Sequence, residues 1–246
     1  MSAQRGIQAC RPRVHPAEAR SDAQVRFPDG RIYSGPKGTP LLEYFTAAYS
    51  GDRSIVAALV DGQLVELAEP VTFDLEAEPV DTFCSQGLRI YQRAMSFVLI
   101  VAAHELFPEA RVYIDHSVTI GGLYCTAIGR EPLSTEELAL LGEHMQEIVQ
   151  ADEPIVRQEL PMQQALQVFA AQGDEDKVRL FSGAPDPTLT VHTFRGHTDC
   201  FYGPMLPSTG RLGECCLENY PPGFILRADV ERHVLPLESH TQYPKL

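Results

Sequence analysis

The run Leu88 to Phe107, LRIYQRAMSFVLIVAAHELF, constrains this chain more than any other segment. It holds no proline or glycine, and Pro108 stops it, so its spacing predicts a single helix. Its middle, Met95 to Ala103, is apolar on every side, so no face there can be left to solvent and a sheet must cover it. That apolar stretch is only about half of what a bilayer span requires, which makes it a buried helix. A 246-residue chain with 44% hydrophobic and 22% charged residues has enough apolar material for a core and the length of two small domains.

Residues Val25 to Val80 have a different rhythm. VRF, the turn Pro28-Asp29-Gly30 and RIYS predict a first hairpin, because proline presets φ and glycine accepts positive φ. LLEYFTAAY follows with Thr39 as the expected N-cap and Pro40 at the first helical position. SIVAALV, an Asp61-Gly62 turn and QLVEL give a second hairpin, and VTFDLEA a fifth strand. The order ββαβββ is that of a ubiquitin-like β-grasp unit.

Beyond the long helix, ARVYIDHSV, GGLYCTAI, PIVRQEL, KVRLF and LTVHTF are expected as strands. Ser134-Thr135-Glu136-Glu137 is a capping box before ELALLGEHMQEIVQ, and Pro161 opens MQQALQVFAAQ, which Gly173 closes. The fold class is α+β, with the long buried helix set against an antiparallel sheet.

The string FPDG, GTPLLEY and IVAALVDGQLVELAEPV resembles a TGS domain, the small β-grasp unit of threonyl-tRNA synthetases. LFPEARV, Gly122-Leu123-Tyr124, the capped helix at 134 and LPMQQALQVFAAQGD resemble the editing-type second additional domain that follows it. The likeness implies a tail at 1–22, a TGS domain at 23–82, an editing-like domain at 86–230 and a linker or tail at 231–246. In that family the editing pocket is built on a His-x-x-x-His pair in the long helix and on a Cys and a His in the turn C-R-G-P-H. The two helical positions fall on Arg93 and Phe97 here, and the turn reads Cys200 to Met205 without its histidine. One cysteine cannot supply the three or four converging ligands of a zinc site, so no metal is expected.

Arg89-Ile90-Tyr91-Gln92-Arg93, the Tyr202 to Gly210 segment and Tyr220 to Arg227 are closer to bacterial nucleoside kinases of the uridine-kinase type that carry the same two-domain N-terminus. That resemblance implies a non-catalytic ligand-binding or regulatory module, with a kinase domain of the same or a separate chain as partner. ATP and Mg²⁺ would then belong only to that missing domain. No phosphate loop is present: Gly30 to Gly35 has the glycine spacing, but Pro36 follows and the context is a hairpin. Deacylation of threonyl-tRNA-type esters and a purely structural role are the alternatives.

The candidate ligand-binding residues are Arg89, Arg93, His116, Asp199, Tyr202, Ser208 and Thr209. Arg89 and Arg93, four apart on one helix face, would offer guanidinium forks to a phosphate or carboxylate, or else pair with acidic neighbours. His116 follows VYID where the fold opens into its cleft, or is simply solvated. Asp199 and Cys200 form a polar cluster that His192 and His197 could join, although two histidines flanking Arg195-Gly196 are expected at the surface. Tyr202 and Ser208-Thr209-Gly210 suit a cleft lip with free backbone amides. His144 is expected to be solvated. A small-molecule or nucleotide ligand fits this set.

Thirty-three acidic against twenty basic residues, a formal charge of -13, disfavour general binding to a polyphosphate backbone. Six scattered cysteines without C-x-x-C spacing, and a first segment with no apolar h-region, point to reduced thiols in the cytoplasm and to no membrane anchor.

Overall fold

The computed structural model describes residues 19–118 and 122–228. Most of the two expected tails, residues 1–18 and 231–246, lies outside the described residues. The fold is α+β.

The N-terminal elements are β1 (Asp22–Arg26), β2 (Ile32–Pro36), β3 (Thr39–Pro40), α1 (Leu41–Ala48), β4 (Ile55–Val60), β5 (Gln63–Val65), β6 (Pro70–Val71) and β7 (Leu75–Asp81). They build a five-stranded sheet of order β2-β1-β7-β4-β5, in which β1 and β7 run parallel, and a small β3-β6 ladder. This is a β-grasp arrangement, with α1 burying Leu41, Tyr44, Phe45 and Ala48 against Val25, Phe27 and Ala58. Asp61 and Gly62 have φ of 51° and 76°, the left-handed pair that a two-residue hairpin needs. Thr39 does not cap α1. It pairs with Val71 in the ladder, Pro40 takes the cap position, and the first amides, of Leu41 and Leu42, are satisfied by the carbonyls of Glu69 and Leu67. Backbone replaces a side-chain cap because proline, in the cap position, has no side-chain acceptor to offer.

The long helix is α2 (Ser85–Leu106), capped at its start by Cys84, whose Sγ accepts from the Gly87 amide at 3.3 Å. Its apolar circumference is explained by cover from several directions. Ile90, Met95, Phe97, Val98, Leu99 and Ala102 share one core with Val56 and Val80 of the first sheet, with Leu123, Phe224 and Leu226 of a second sheet, and with Leu141 and Met145 of a second helix. A β-carbon at Gly87 would stand 1.9 Å from the Asp81 carbonyl oxygen, so only glycine lets α2 start this close to β7.

The remaining elements are β8 (Arg111–Ser117), β9 (Leu123–Ile128), α3 (Thr135–Ala151), β10 (Val156–Pro161), α4 (Met162–Ala171), α5 (Glu175–Phe181), β11 (Thr188–Phe194), β12 (His197–Asp199), a 3-10 turn at Thr209–Arg211, β13 (Cys215–Tyr220) and β14 (Gly223–Ala228). The second sheet is antiparallel with order β13-β14-β9-β8, and a third is the antiparallel trio β10-β11-β12. The capping box on α3 is complete in both directions between Ser134 and Glu137. KVRLF is helical, not extended. It forms most of α5, whose first turn carries Glu175 and Asp176 and whose last carries Arg179, in accord with the helix dipole. Phe181 at its end stacks on Phe169 of α4 at 6.0 Å. Among the described residues no helix is long and apolar enough to cross a membrane.

Candidate functional site

The helix positions that the synthetase likeness singles out and the 200–205 turn meet in space. Arg93 is half-buried, and its Nη1 donates to the Pro204 carbonyl. Burial pushes its guanidinium below the usual arginine value, opposed by Glu66. Gly203, at φ 94°, passes so close that an added β-carbon would lie 3.3 Å from Arg93 Nη2. Phe97, one turn further along, is fully buried, with its ring 5.1 Å from Phe201, 5.9 Å from Phe194 and 6.2 Å from His197. The helix side of the site is thus an aromatic wall. Arg89, a turn earlier, is exposed.

The strand that leads into this turn is polar. Lys177 of α5 reaches across to Asp199 at the end of β12, Nζ to Oδ1 2.7 Å, and to Asp174 at 3.2 Å. The Asp199 carboxylate is almost wholly buried and also accepts from the Cys200 amide. Burial pulls the Lys177 ammonium down, but Asp199 and Asp174 together outweigh it and hold its proton more tightly than in a free lysine. His197 opens β12, and burial pushes its imidazole below the usual histidine value, so the ring is neutral at neutral pH. Burial raises the Cys200 thiol, which keeps it protonated and therefore a poor nucleophile. Lys177 escaped the sequence reading because KVRLF was expected as a strand, which would not aim this side chain at Asp199.

Between the β-grasp sheet and the third sheet lies a cleft of about 580 Å³, lined by Glu66, Arg157, Thr190, Cys200 and Tyr202 among others. His192 is not at the surface, as its position beside Arg195-Gly196 suggested. Arg195 and Gly196, at φ 49° and 75°, close a two-residue turn that leaves His192 within β11, 1% exposed, with Nε2 3.1 Å from Glu66 Oε1. The same Glu66 oxygen accepts from the Met205 amide at 3.1 Å, so one carboxylate ties the β-grasp unit to the 200–205 turn.

The other expected positions are dispersed. Tyr202 stands 82% exposed on the cleft lip. Thr209 is fully buried, donating to the Ile148 carbonyl and accepting from the Glu153 amide, which secures the end of α3, and Ser208 bridges to Pro154 beside it. His116 is exposed at a bulge in β8, its ring 5.3 Å from Tyr124. His144 is not freely solvated: it lies between Glu105 at 2.7 Å and Glu147 at 3.1 Å. Among the described residues no group of three or more His, Cys, Asp or Glu side chains converges as metal ligands. Arg93, Phe97 and a buried Met205 stand where the synthetase pattern has histidines, so these residues do not fit a metal ion.

No family model matches the chain. It is similar to the threonine–tRNA ligase of Symbiobacterium thermophilum, 33% identical over 196 residues that cover 78% of this chain and 30% of that protein. The ligase of Desulfovibrio desulfuricans is 31% identical over 188 residues, 74% of this chain and 29% of the relative. That of Anaeromyxobacter dehalogenans is 28% identical over 217 residues, 86% and 33% respectively. These findings overturn the expectation of a nucleoside-kinase module. The short strings behind that expectation lie on structural elements: Arg89 to Arg93 inside the shared buried helix, and Tyr220 to Arg227 in the β13–β14 hairpin. The chain spans about a third of the length of the curated relatives it matches, and what it resembles over that span is part of a threonine–tRNA ligase.

Proposed function

We propose that this chain is an editing-like module of the threonyl-tRNA synthetase type, which hydrolyses the ester between an amino acid and the acceptor end of a threonine tRNA. The observation that carries this reading is the juxtaposition of the 200–205 turn with the Lys177–Asp199 pair, within a stretch similar to threonine–tRNA ligases. Ester hydrolysis needs a base for the attacking water and a fixed positive group for the oxyanion. His197, neutral at neutral pH, takes the water proton as the oxygen adds to the ester carbonyl. The Lys177 ammonium, oriented by Asp199, stabilises the tetrahedral oxyanion. When the ester C–O bond breaks, His197 returns the proton to the departing ribose hydroxyl. None of these steps involves a metal, in keeping with the donor set.

The acidic surface suits an enzyme that grips only the end of a tRNA rather than its backbone. A second reading is favoured by the Phe97–Phe201 contact, which closes the helix side: the module would then hold an acceptor end without hydrolysing it. The experiment that separates the two follows release of labelled amino acid from threonine tRNA charged with threonine or a near-cognate amino acid. Hydrolysis that is lost in Lys177→Met and His197→Gln supports the esterase. Binding of the charged tRNA without hydrolysis supports the carrier.

A further inference from the structure

Arg195 occupies a turn position that its residue type disfavours. The β11–β12 hairpin closes on Arg195-Gly196 with φ of 49° and 75°, the two-residue turn that prefers Asn-Gly or Asp-Gly because a longer L side chain resists positive φ. The side chain does its work outside the hairpin. Its Nε and Nη2 donate to Glu153 Oε1 at 2.9 and 2.7 Å, and its Nη1 donates to Glu105 Oε2 at 2.8 Å. Glu105 belongs to the last turn of α2, and Glu153 lies two residues past α3. Both carboxylates are themselves held: Glu105 by His144 at 2.7 Å, and the Glu153 backbone by Thr209 through its amide and its carbonyl. At 26% exposure of the Arg195 side chain the ion pairs add little to stability, but a planar guanidinium spanning two fixed carboxylates sets a geometry. The hairpin is thereby fastened on the α2 side, as Gln172 of the turn after α4 fastens it on the other through the Thr198 amide and carbonyl. His197 lies between these two fastenings, with its ring 5.7 Å from His104 and 6.2 Å from Phe97, both on α2.

We infer that Arg195 is a positioning residue for His197, its fork to Glu105 and Glu153 holding the hairpin where the imidazole packs on α2 away from water. This role rests on the proposed action of His197 as base. Without the fork the hairpin keeps its ladders to β10 and within β11–β12, but it is free to swing about Gln172 and admit water to the ring. A reacting group displaced by about 1 Å loses about a hundredfold in rate.

The test is the titration of the His197 ring, followed by NMR in the full chain and in two variants. In the wild type burial holds the imidazole low, with Asp199 and Asp174 opposing and Lys177 of α5 and His104 of α2 reinforcing. Arg195→Asn suits the left-handed turn, so it should fold with an undiminished thermal midpoint, yet its His197 midpoint should rise toward the ordinary histidine value. Loss of a positive charge alone would act in the same direction, so Glu153→Ala decides: loss of a negative charge alone lowers the midpoint, whereas a loosened hairpin raises it. A rise in both variants supports the role; an unchanged midpoint in either, or a fall in Glu153→Ala, overturns it. Single-turnover deacylation should slow about ten- to a hundredfold in both, and Arg195→Lys should recover part of the loss. The titration needs no tRNA, so a wild-type chain that hydrolyses nothing removes the esterase reading and leaves the positioning standing. Wild-type hydrolysis with an unmoved His197 titration does the reverse.

Discussion

The two walls of the candidate site are made of opposite chemistry. On the helix wall Phe97 is fully buried against Phe194 and Phe201 and meets His197 of the strand wall at 6.2 Å, and Arg93 ends on a backbone carbonyl. On the strand wall a lysine and an aspartate are buried against each other. An aromatic cluster stabilises by excluded water and packing, whereas a buried ion pair costs desolvation and is weak evidence of stability by itself. On the proposed function the aromatic wall serves folding and the ion pair serves chemistry, a division that can be broken by exchanging the losses.

Phe97→Ala should show the largest stability effect, a loss of about 3–5 kcal/mol in denaturant titration, because it leaves a cavity at the centre of the shared core. The fraction that remains folded should still hydrolyse ester if the helix wall is structural. Lys177→Met should cost about 3 kcal/mol, the low end for a buried ion pair that loses one partner, because Asp199 is left buried and unpaired, yet abolish hydrolysis. Its stability penalty has a pH signature. A raised lysine contributes stability that is fully present below its unfolded value of about 10.4 and is lost as pH rises through its folded value. The gap between wild type and variant, followed by urea midpoints, should be flat from pH 6 to 9 and shrink in stronger base.

The two histidines with displaced titration should behave oppositely. His197 is held low, so the stability it contributes is present above about pH 6.5 and is lost as pH falls through its folded value; His197→Gln should flatten the acid limb of the stability profile. At His144 burial pulls down, but hydrogen bonds to Glu147 and Glu105 outweigh it and the net displacement is upward. Its contribution is present below about pH 6.5 and fades as pH rises, so His144→Gln should cost about 0.5 kcal/mol near pH 5 and less at pH 8. A variant pair that shifted the profile in the same direction would contradict the assignment of His197 to a buried, neutral role. An intermediate change is expected at the surface, distant from both walls: Ser134→Ala removes one half of the α3 capping box and should lower stability by about 1 kcal/mol, read from the thermal midpoint.

Strong local signals made much of this architecture readable in advance. The apolar circumference of α2, the Asp61-Gly62 and Arg195-Gly196 turns and the Ser134 box each act within a few residues, and the structure shows each in its local role. Signals that depend on partners distant in sequence were not readable. α5 looked like a strand because Val178, Leu180 and Phe181 are β-compatible, and only the reach of Lys177 to Asp199, 22 positions later, shows why a helix is the useful choice. His192 looked like a turn residue because its partner, Glu66, sits 126 positions away, just after β5 of the β-grasp unit. The site is assembled from such long-range pairs, so the sequence named several of its neighbours, Arg93, Asp199 and Tyr202, but neither Glu66 nor Lys177.

The strand wall is proposed to perform ester hydrolysis without a metal. The most direct test is single-turnover deacylation of mischarged threonine tRNA by a stoichiometric amount of the chain in the presence of EDTA. Release of the amino acid is expected well above the spontaneous rate, unchanged by EDTA and reduced to background by Lys177→Met. Release no faster than that of the tRNA alone, or release that requires added Zn²⁺, would contradict it.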